Sequence, residues 1–148
     1  MNVMSTVLIF AWVYAAMIAM AFWESEVEGR NAGARKALGW KFTIRGYDVH
    51  AYHIFVFLVM WPLMMSLPLV VTGWDTRLFG VLMSAYASGI ILEDFMWYVV
   101  NPDTSLKDFN SMFAKHYPWI RAGSVEIPVL YIIMGTLALA SWYFLWSV

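Results

Sequence analysis

The chain has 148 residues, of which 62% are hydrophobic and only 13% are charged. Soluble domains average about half apolar and a quarter charged residues, so this composition excludes an ordinary soluble domain and indicates an integral membrane protein. The net charge is −1 and cysteine is absent, which excludes disulfides, thiolate metal ligands and cysteine nucleophiles.

Four apolar segments are long enough to cross about 30 Å of hydrocarbon as helices. Their approximate bounds are 3–23, 49–74, 78–100 and 127–148. The first lacks the basic start and the small-residue cleavage site of a signal peptide, so we expect it to be retained as a span. The predicted fold is all-α, an antiparallel four-helix transmembrane bundle formed by a single domain over residues 1–148.

The loop that follows the first span, 24–48, begins with the acidic sequence ESEVE. Glu24 and Glu28 are four residues apart and share one helical face, so we expect the first helix to continue to Gly29 or Gly33. Further along, the alternation of apolar and polar residues in WKFTIR predicts a short extended segment.

Span two contains Pro62 and Pro68, which predict a kinked helix because each removes a backbone hydrogen bond. Span three carries Gly80, Ser84 and Ser88 at a spacing of four, a pattern that lets helices approach closely in lipid. This pattern also leaves open a homo-oligomer. No internal repeat is visible in the sequence.

Basic residues are divided unevenly among the loops. The loop 24–48 carries five of them and the loop 101–126 carries three, whereas the turn between spans two and three carries Arg77 alone. The positive-inside rule therefore predicts that both long loops are cytoplasmic and both termini lie outside (N-out/C-out). We expect an integral protein of the plasma (inner) membrane, with the lipid bilayer as a partner and no nucleic-acid partner.

Glu93 and Asp94 are adjacent carboxylates inside the third span, about 10 Å below its predicted cytoplasmic end. An acid at a helix centre costs about 2.5–3.5 kcal/mol on insertion scales, so both acids need a partner, a proton or a cation. Adjacent helical positions differ by about 100°, so the two carboxyls should face different partners.

Other ionisable residues are predicted to lie near the same end of the bundle. Histidines occur in the predicted first turns of span two and in the second long loop, and carboxylates occur at the end of span one. Imidazole with carboxylate is a donor set used by zinc, iron and manganese, and helical bundles build such sites from facing helices. The candidate ligands for a divalent metal are His50, His53, Glu93, Asp94, Glu24, Glu28 and His116.

Three interpretations of these residues stay open. The acids could form structural ion pairs with Arg45, Arg121 or the histidines, they could bind a metal, or they could relay protons or ions. The leading hypothesis is a membrane-embedded metal-dependent enzyme that acts on a lipid or other amphipathic substrate, with Glu93 and Asp94 as catalytic acids. The alternatives are a small ion, proton or metal transporter or channel subunit, and a non-catalytic membrane scaffold.

Overall fold

The computed structural model describes residues 3–30, 40–44, 47–115, 117–123 and 125–146, and most of them are helical. Three helices, α1 (Val3–Glu28), α2 (Ala51–Thr72) and α3 (Thr76–Val100), are long and apolar enough to cross a membrane. A shorter apolar helix, α4, begins as Val129–Ser141 and continues as the π-helical stretch Trp142–Trp146.

The end of α1 lies beyond the predicted end of span one, at Glu28. Gly29 follows with φ +58°, a backbone conformation that glycine adopts without the steric cost of a Cβ atom. The side-chain amide of Asn101 donates to the Gly29 carbonyl at 2.6 Å, which joins the end of α1 to the loop after α3. The predicted continuation of this helix to a glycine is confirmed.

Two short β-hairpins precede α2 and α4. In the first, β1 (Lys41–Ile44) pairs antiparallel with β2 (Tyr47–His50), which confirms the predicted extended segment. In the second, β3 (Trp119–Ala122) pairs with β4 (Val125–Pro128), where the sequence predicted only a loop and the start of span four. The missed signal is Gly123, which lies between two short alternating runs and has φ +63°.

The two halves of the described chain share one order of elements: a long helix, a connection, a hairpin and a second helix. The two hairpins have the same strand register. The helix after each hairpin also begins with the same backbone contact, because Ala51 N–H donates to the Trp40 carbonyl and Val129 N–H donates to the Pro118 carbonyl, both at 2.9 Å. The sequence shows no internal repeat, so this repeated order of elements is visible only in the structure.

The central helix is α3, and α1 packs along it through small residues. Ser84, Ala85 and Gly89 are buried. A Cβ atom at Gly89 would lie 3.0 Å from Cγ of Met17, so the glycine permits this close approach. The small-residue pattern that left a homo-oligomer open is thus occupied by a helix of the same chain, and the oligomer stays a prediction.

The second helix contains a π-helical stretch, Ile54–Met60, just before Pro62. A π ladder joins each N–H to the carbonyl five residues earlier, so the Phe57 carbonyl would pair with residue 62, but Pro62 has no N–H. The hydroxyl of Tyr86 on α3 donates to the Phe57 carbonyl instead. A neighbouring helix therefore replaces the donor that proline removes.

The described part of the loop after α3, residues 101–115 and 117–118, folds over the end of α3 where both hairpins lie, which we call the hairpin end. An aromatic cluster holds it there, formed by Ala21, Trp97, Tyr98 and Ala114 with Phe109, Phe113, Tyr117 and Trp119 packed against them. The indole N–H of Trp119 donates to the Ala114 carbonyl at 2.8 Å. This packing brings Tyr117 to the polar residues described next.

Candidate metal site

Glu24 and Glu28 on α1 face His53 in the first turn of α2. Nε2 of His53 lies 3.5 Å from Oε1 of Glu24 and 3.8 Å from Oε1 of Glu28. One ligand atom from each residue lies within 4.8 Å of the other two. Donors bound to one ion at about 2.1 Å in tetrahedral geometry are separated by roughly 3.4 Å, so small side-chain movements would let this group hold a metal ion.

The local structure explains why these three residues meet. Glu24 and Glu28 are one helical turn apart and both are buried, so α1 presents their carboxyls on one face. The first hairpin positions the start of α2 against that face, so that His53 lies beside the two acids and is partly exposed. The neighbouring hydroxyl of Tyr52 donates to Oε1 of Glu28.

Glu93 reaches the same group from α3. Its side chain is buried and its carboxyl lies beside the carboxyl of Glu24. Two adjacent buried carboxyls repel each other unless a proton or a cation lies between them. Oε1 of Glu24 and Oε1 of Glu93 are buried without a hydrogen-bond partner among the described residues. Because an unsatisfied buried acceptor is costly, these two oxygens indicate that the site takes a further proton or cation.

Asp94 faces the opposite side of the site. Its Oδ2 accepts a hydrogen bond from the Tyr131 hydroxyl at 2.8 Å and a longer one from the Tyr117 hydroxyl at 3.4 Å. Burial, and then the nearby Asp94 carboxylate, raise the pKa of Tyr117 above its ordinary value, so this loop hydroxyl remains a donor. The two adjacent acids therefore have different partners, as their positions on the helix predict.

Glu24, His53, Glu93 and Asp94 line one cavity of about 330 Å³. The cavity lies between α2 and α4 against α3, and apart from these four residues and Tyr117 its described walls are apolar. None of the described residues that line it is Lys or Arg. The cavity thus combines a strongly acidic end with aliphatic and aromatic walls.

His50 lies elsewhere than predicted. It is the last residue of β2, not part of the first turn of span two, because the hairpin pairing continues to it and α2 begins at Ala51. Its ring centroid lies 6.2 Å from that of His53, and its buried Nδ1 has no hydrogen-bond partner in the described parts of the chain. The Glu24–Glu28–His53 group does not include it, so its role as a ligand stays a prediction. His116 lies outside the described residues.

Arg121, one of the arginines considered as a partner for the intramembrane acids, pairs within the second hairpin. Its Nε lies 2.7 Å from Oε1 of Glu126, and its guanidinium donates to the Ser111 hydroxyl. The backbone N–H of Ser111 donates to Oε2 of Glu126 at 2.7 Å, and this bond is the main cause that lowers the pKa of Glu126. Arg45, the other arginine considered, lies outside the described residues.

Three tyrosines of the site, Tyr52, Tyr117 and Tyr131, were missed by the sequence analysis. A signal for one of them exists in the repeated plan of the chain. Tyr131 is the third residue after its hairpin, which is the place of His53 after the first hairpin. Both side chains face acids of a long helix from that position.

The class that these features define is a helical chain with three candidate membrane spans and a buried carboxylate–imidazole group at one end. The chain matches no protein-family model, no curated protein and no solved structure. Its chemistry therefore has to follow from its own residues.

Proposed function

We propose that this chain is a membrane-embedded enzyme that uses a divalent metal ion held by Glu24, Glu28 and His53. The observation that carries the proposal is the convergence of three ligand atoms within 4.8 Å of one another. The unpartnered buried oxygen of Glu93 beside them supports it, because an acidic cluster kept only for packing would satisfy that atom internally. Two carboxylates with one imidazole suit zinc, iron or manganese.

The membrane setting of the proposal is the four-helix bundle with α4 as the fourth span. Its support is the composition of α1, α2 and α3, together with the absence of any buried residue in the most apolar stretch of α2. The uneven distribution of basic residues supports a cytoplasmic hairpin end in the plasma (inner) membrane, with both termini outside.

The proposed substrate is an amphipathic molecule such as a lipid. The cavity is mainly apolar, and Leu58, one of its lining residues, is 70% exposed on the outer surface of α2. Part of the wall therefore faces the surroundings of the helices, which in a bilayer are lipid. A metal ion in the site would polarise a substrate oxygen or a water molecule, and Glu93 lies where it can accept or return the proton.

The experiment that tests this function is elemental analysis of purified protein after loading with zinc, manganese or ferrous iron and removal of free metal. Wild type should retain about one ion per chain, as a single three-ligand site requires. His53→Gln and Glu24→Gln should lose it. Tyr131→Phe is the matched control at the equivalent position of the second half and should keep the ion. Absence of bound metal from wild type after all three loadings would contradict the proposal.

A second candidate function, ion or proton transport, is favoured by the adjacent buried carboxyls of Glu24 and Glu93, since two carboxyls so placed need a proton or a cation between them. A transporter should show pH- or cation-dependent flux in liposomes that Glu93→Gln abolishes, whereas the enzyme should show none. A scaffold should lose thermal stability in the same variants without binding metal or moving ions.

A further inference from the structure

The second half of the chain repeats the geometry of the metal group with different chemistry. Tyr131 follows its hairpin as His53 follows the first hairpin, and each faces acids from a long helix. Tyrosine supplies a hydroxyl donor in place of an imidazole nitrogen. The second half therefore orients a carboxyl with hydrogen bonds where the first half collects metal ligands.

Asp94 is fixed in position by hydrogen bonds from two neighbouring tyrosines. Both tyrosine hydroxyls donate to its Oδ2, at 2.8 Å from Tyr131 and 3.4 Å from Tyr117. Asp94 also lines the cavity and is not fully buried. A fixed carboxyl at a cavity wall is suited to accept a hydrogen bond from a bound molecule.

The acidic residues that line the cavity indicate the charge of the molecule that it binds. Glu24, Glu93 and Asp94 line it, Glu28 lies beside them, and no Lys or Arg is among the described lining residues. An anionic headgroup is repelled there and a cationic one is attracted. Phe57 and Tyr117 add aromatic rings to the same walls, and such rings attract cations.

We propose that Asp94, Tyr117 and Tyr131 form a second subsite that binds the ammonium group of a cationic amphiphile, whose apolar chain lies in the rest of the cavity. This inference rests on the proposed enzyme function and extends it, because it assigns an amine rather than a phosphate to the substrate. Asp94 accepts hydrogen bonds from the ammonium group, and the tyrosines keep the carboxyl in position.

Binding of octylamine, octyl phosphate and octanol to the purified protein tests this subsite, with calorimetry on metal-free and metal-loaded samples at pH 7. Octylamine should bind at least about tenfold more tightly than either of the others, because its charge is opposite to that of the cavity. Asp94→Asn should lower octylamine affinity by about tenfold or more, and Tyr131→Phe should lower it less. Glu126→Gln, which removes an acid outside the cavity, should leave it unchanged.

Equal affinity for the three compounds, or unchanged octylamine affinity in Asp94→Asn, would overturn the subsite. If Asp94→Asn does not fold, Tyr131→Phe is the deciding variant, because it keeps the carboxylate and removes only its closer donor. Lowered octylamine affinity in Tyr131→Phe then supports the subsite, and unchanged affinity overturns it. The outcome is separable from that of the metal experiment. Octylamine preference without metal binding contradicts the proposed enzyme alone, and metal binding without octylamine preference contradicts the subsite alone.

Discussion

The two halves of this chain have the same backbone plan, yet they place different chemistry at the same position. In the first half, the third residue after the hairpin is His53, which faces two carboxylates of α1. In the second half it is Tyr131, which donates to one carboxylate of α3. The hairpin therefore fixes where the side chain lies, whereas the residue type decides between a group that could hold a metal ion and a hydrogen-bonded acid.

The halves also differ in how their final helix packs. α4 lies along α3, whereas α2 has no buried residue beyond its first turn and contains the π-helical stretch. Because α2 contacts α3 over a shorter length, a cavity remains between α2 and α4. Because the two helices pack differently, polar residues of both halves line the same cavity.

The largest stability effect is expected where α1 packs on α3. A Cβ at Gly89 would lie 3.0 Å from Met17, so Gly89→Ala should cost about 1–3 kcal/mol through overpacking. The matched control is Gly135→Ala in α4, where the nearest atom, on Ile91, lies 3.9 Å away. That variant should be neutral or up to about 1 kcal/mol more stable, because alanine favours the helix. Thermal unfolding in detergent measures both, and equal effects would contradict the close packing.

A smaller effect is expected at the π-helical stretch, which only the first half has before a proline. Tyr86→Phe leaves the Phe57 carbonyl without its donor and should cost about 1 kcal/mol. In a Pro62→Ala background, residue 62 regains an N–H, so the same substitution should cost clearly less. A double-mutant cycle of unfolding free energies measures this difference. Additive effects would show that Tyr86 does not replace the donor lost at Pro62.

The smallest effect is expected from the ion pair of the second hairpin, where Arg121 lies opposite Glu126. In the first hairpin the corresponding register pair is Thr43 and Asp48, so the residue opposite the acid there is a threonine. The Ser111 N–H and Arg121 lower the pKa of Glu126 below its ordinary value of 4.5. The stability it contributes is therefore complete above pH 4.5 and is lost as the pH falls through the lower, folded value.

Melting temperatures of wild type and Glu126→Gln across pH 3–7 test the direction of this pH dependence. The wild type should be slightly more stable at the upper end of this range, and the difference should shrink at the lower end. A difference that grows as the pH falls would contradict the assigned contacts of Glu126.

The sequence predicted much of the candidate site because acids and histidines are conspicuous in an apolar chain. Glu24, Glu28 and His53 were among the predicted ligands, and all three come together. His50 was misplaced because HAYH has helical spacing, although its first residue ends a strand. The tyrosines were missed because an aromatic residue in an apolar span is also typical of ordinary packing.

Two features of the fold, the second hairpin and the repeated order of elements, could not be predicted from the sequence for a different reason. The second hairpin is short, and its last strand runs directly into an apolar helix, so residues 127 and 128 fit a helical span equally well. The repeated plan depends on backbone register, and paired positions such as Lys41 and Trp119 share no chemistry. Neither feature leaves a clear pattern of residue types.

Electron spin-echo envelope modulation of the manganese-loaded protein detects a nitrogen bound to the ion and so tests most directly whether His53 binds the metal. We expect the coupling of one imidazole nitrogen in wild type and in His50→Gln, and its absence in His53→Gln. A nitrogen coupling that persists in His53→Gln, or a bound ion without any imidazole coupling in wild type, would contradict the assignment of His53 as the metal ligand.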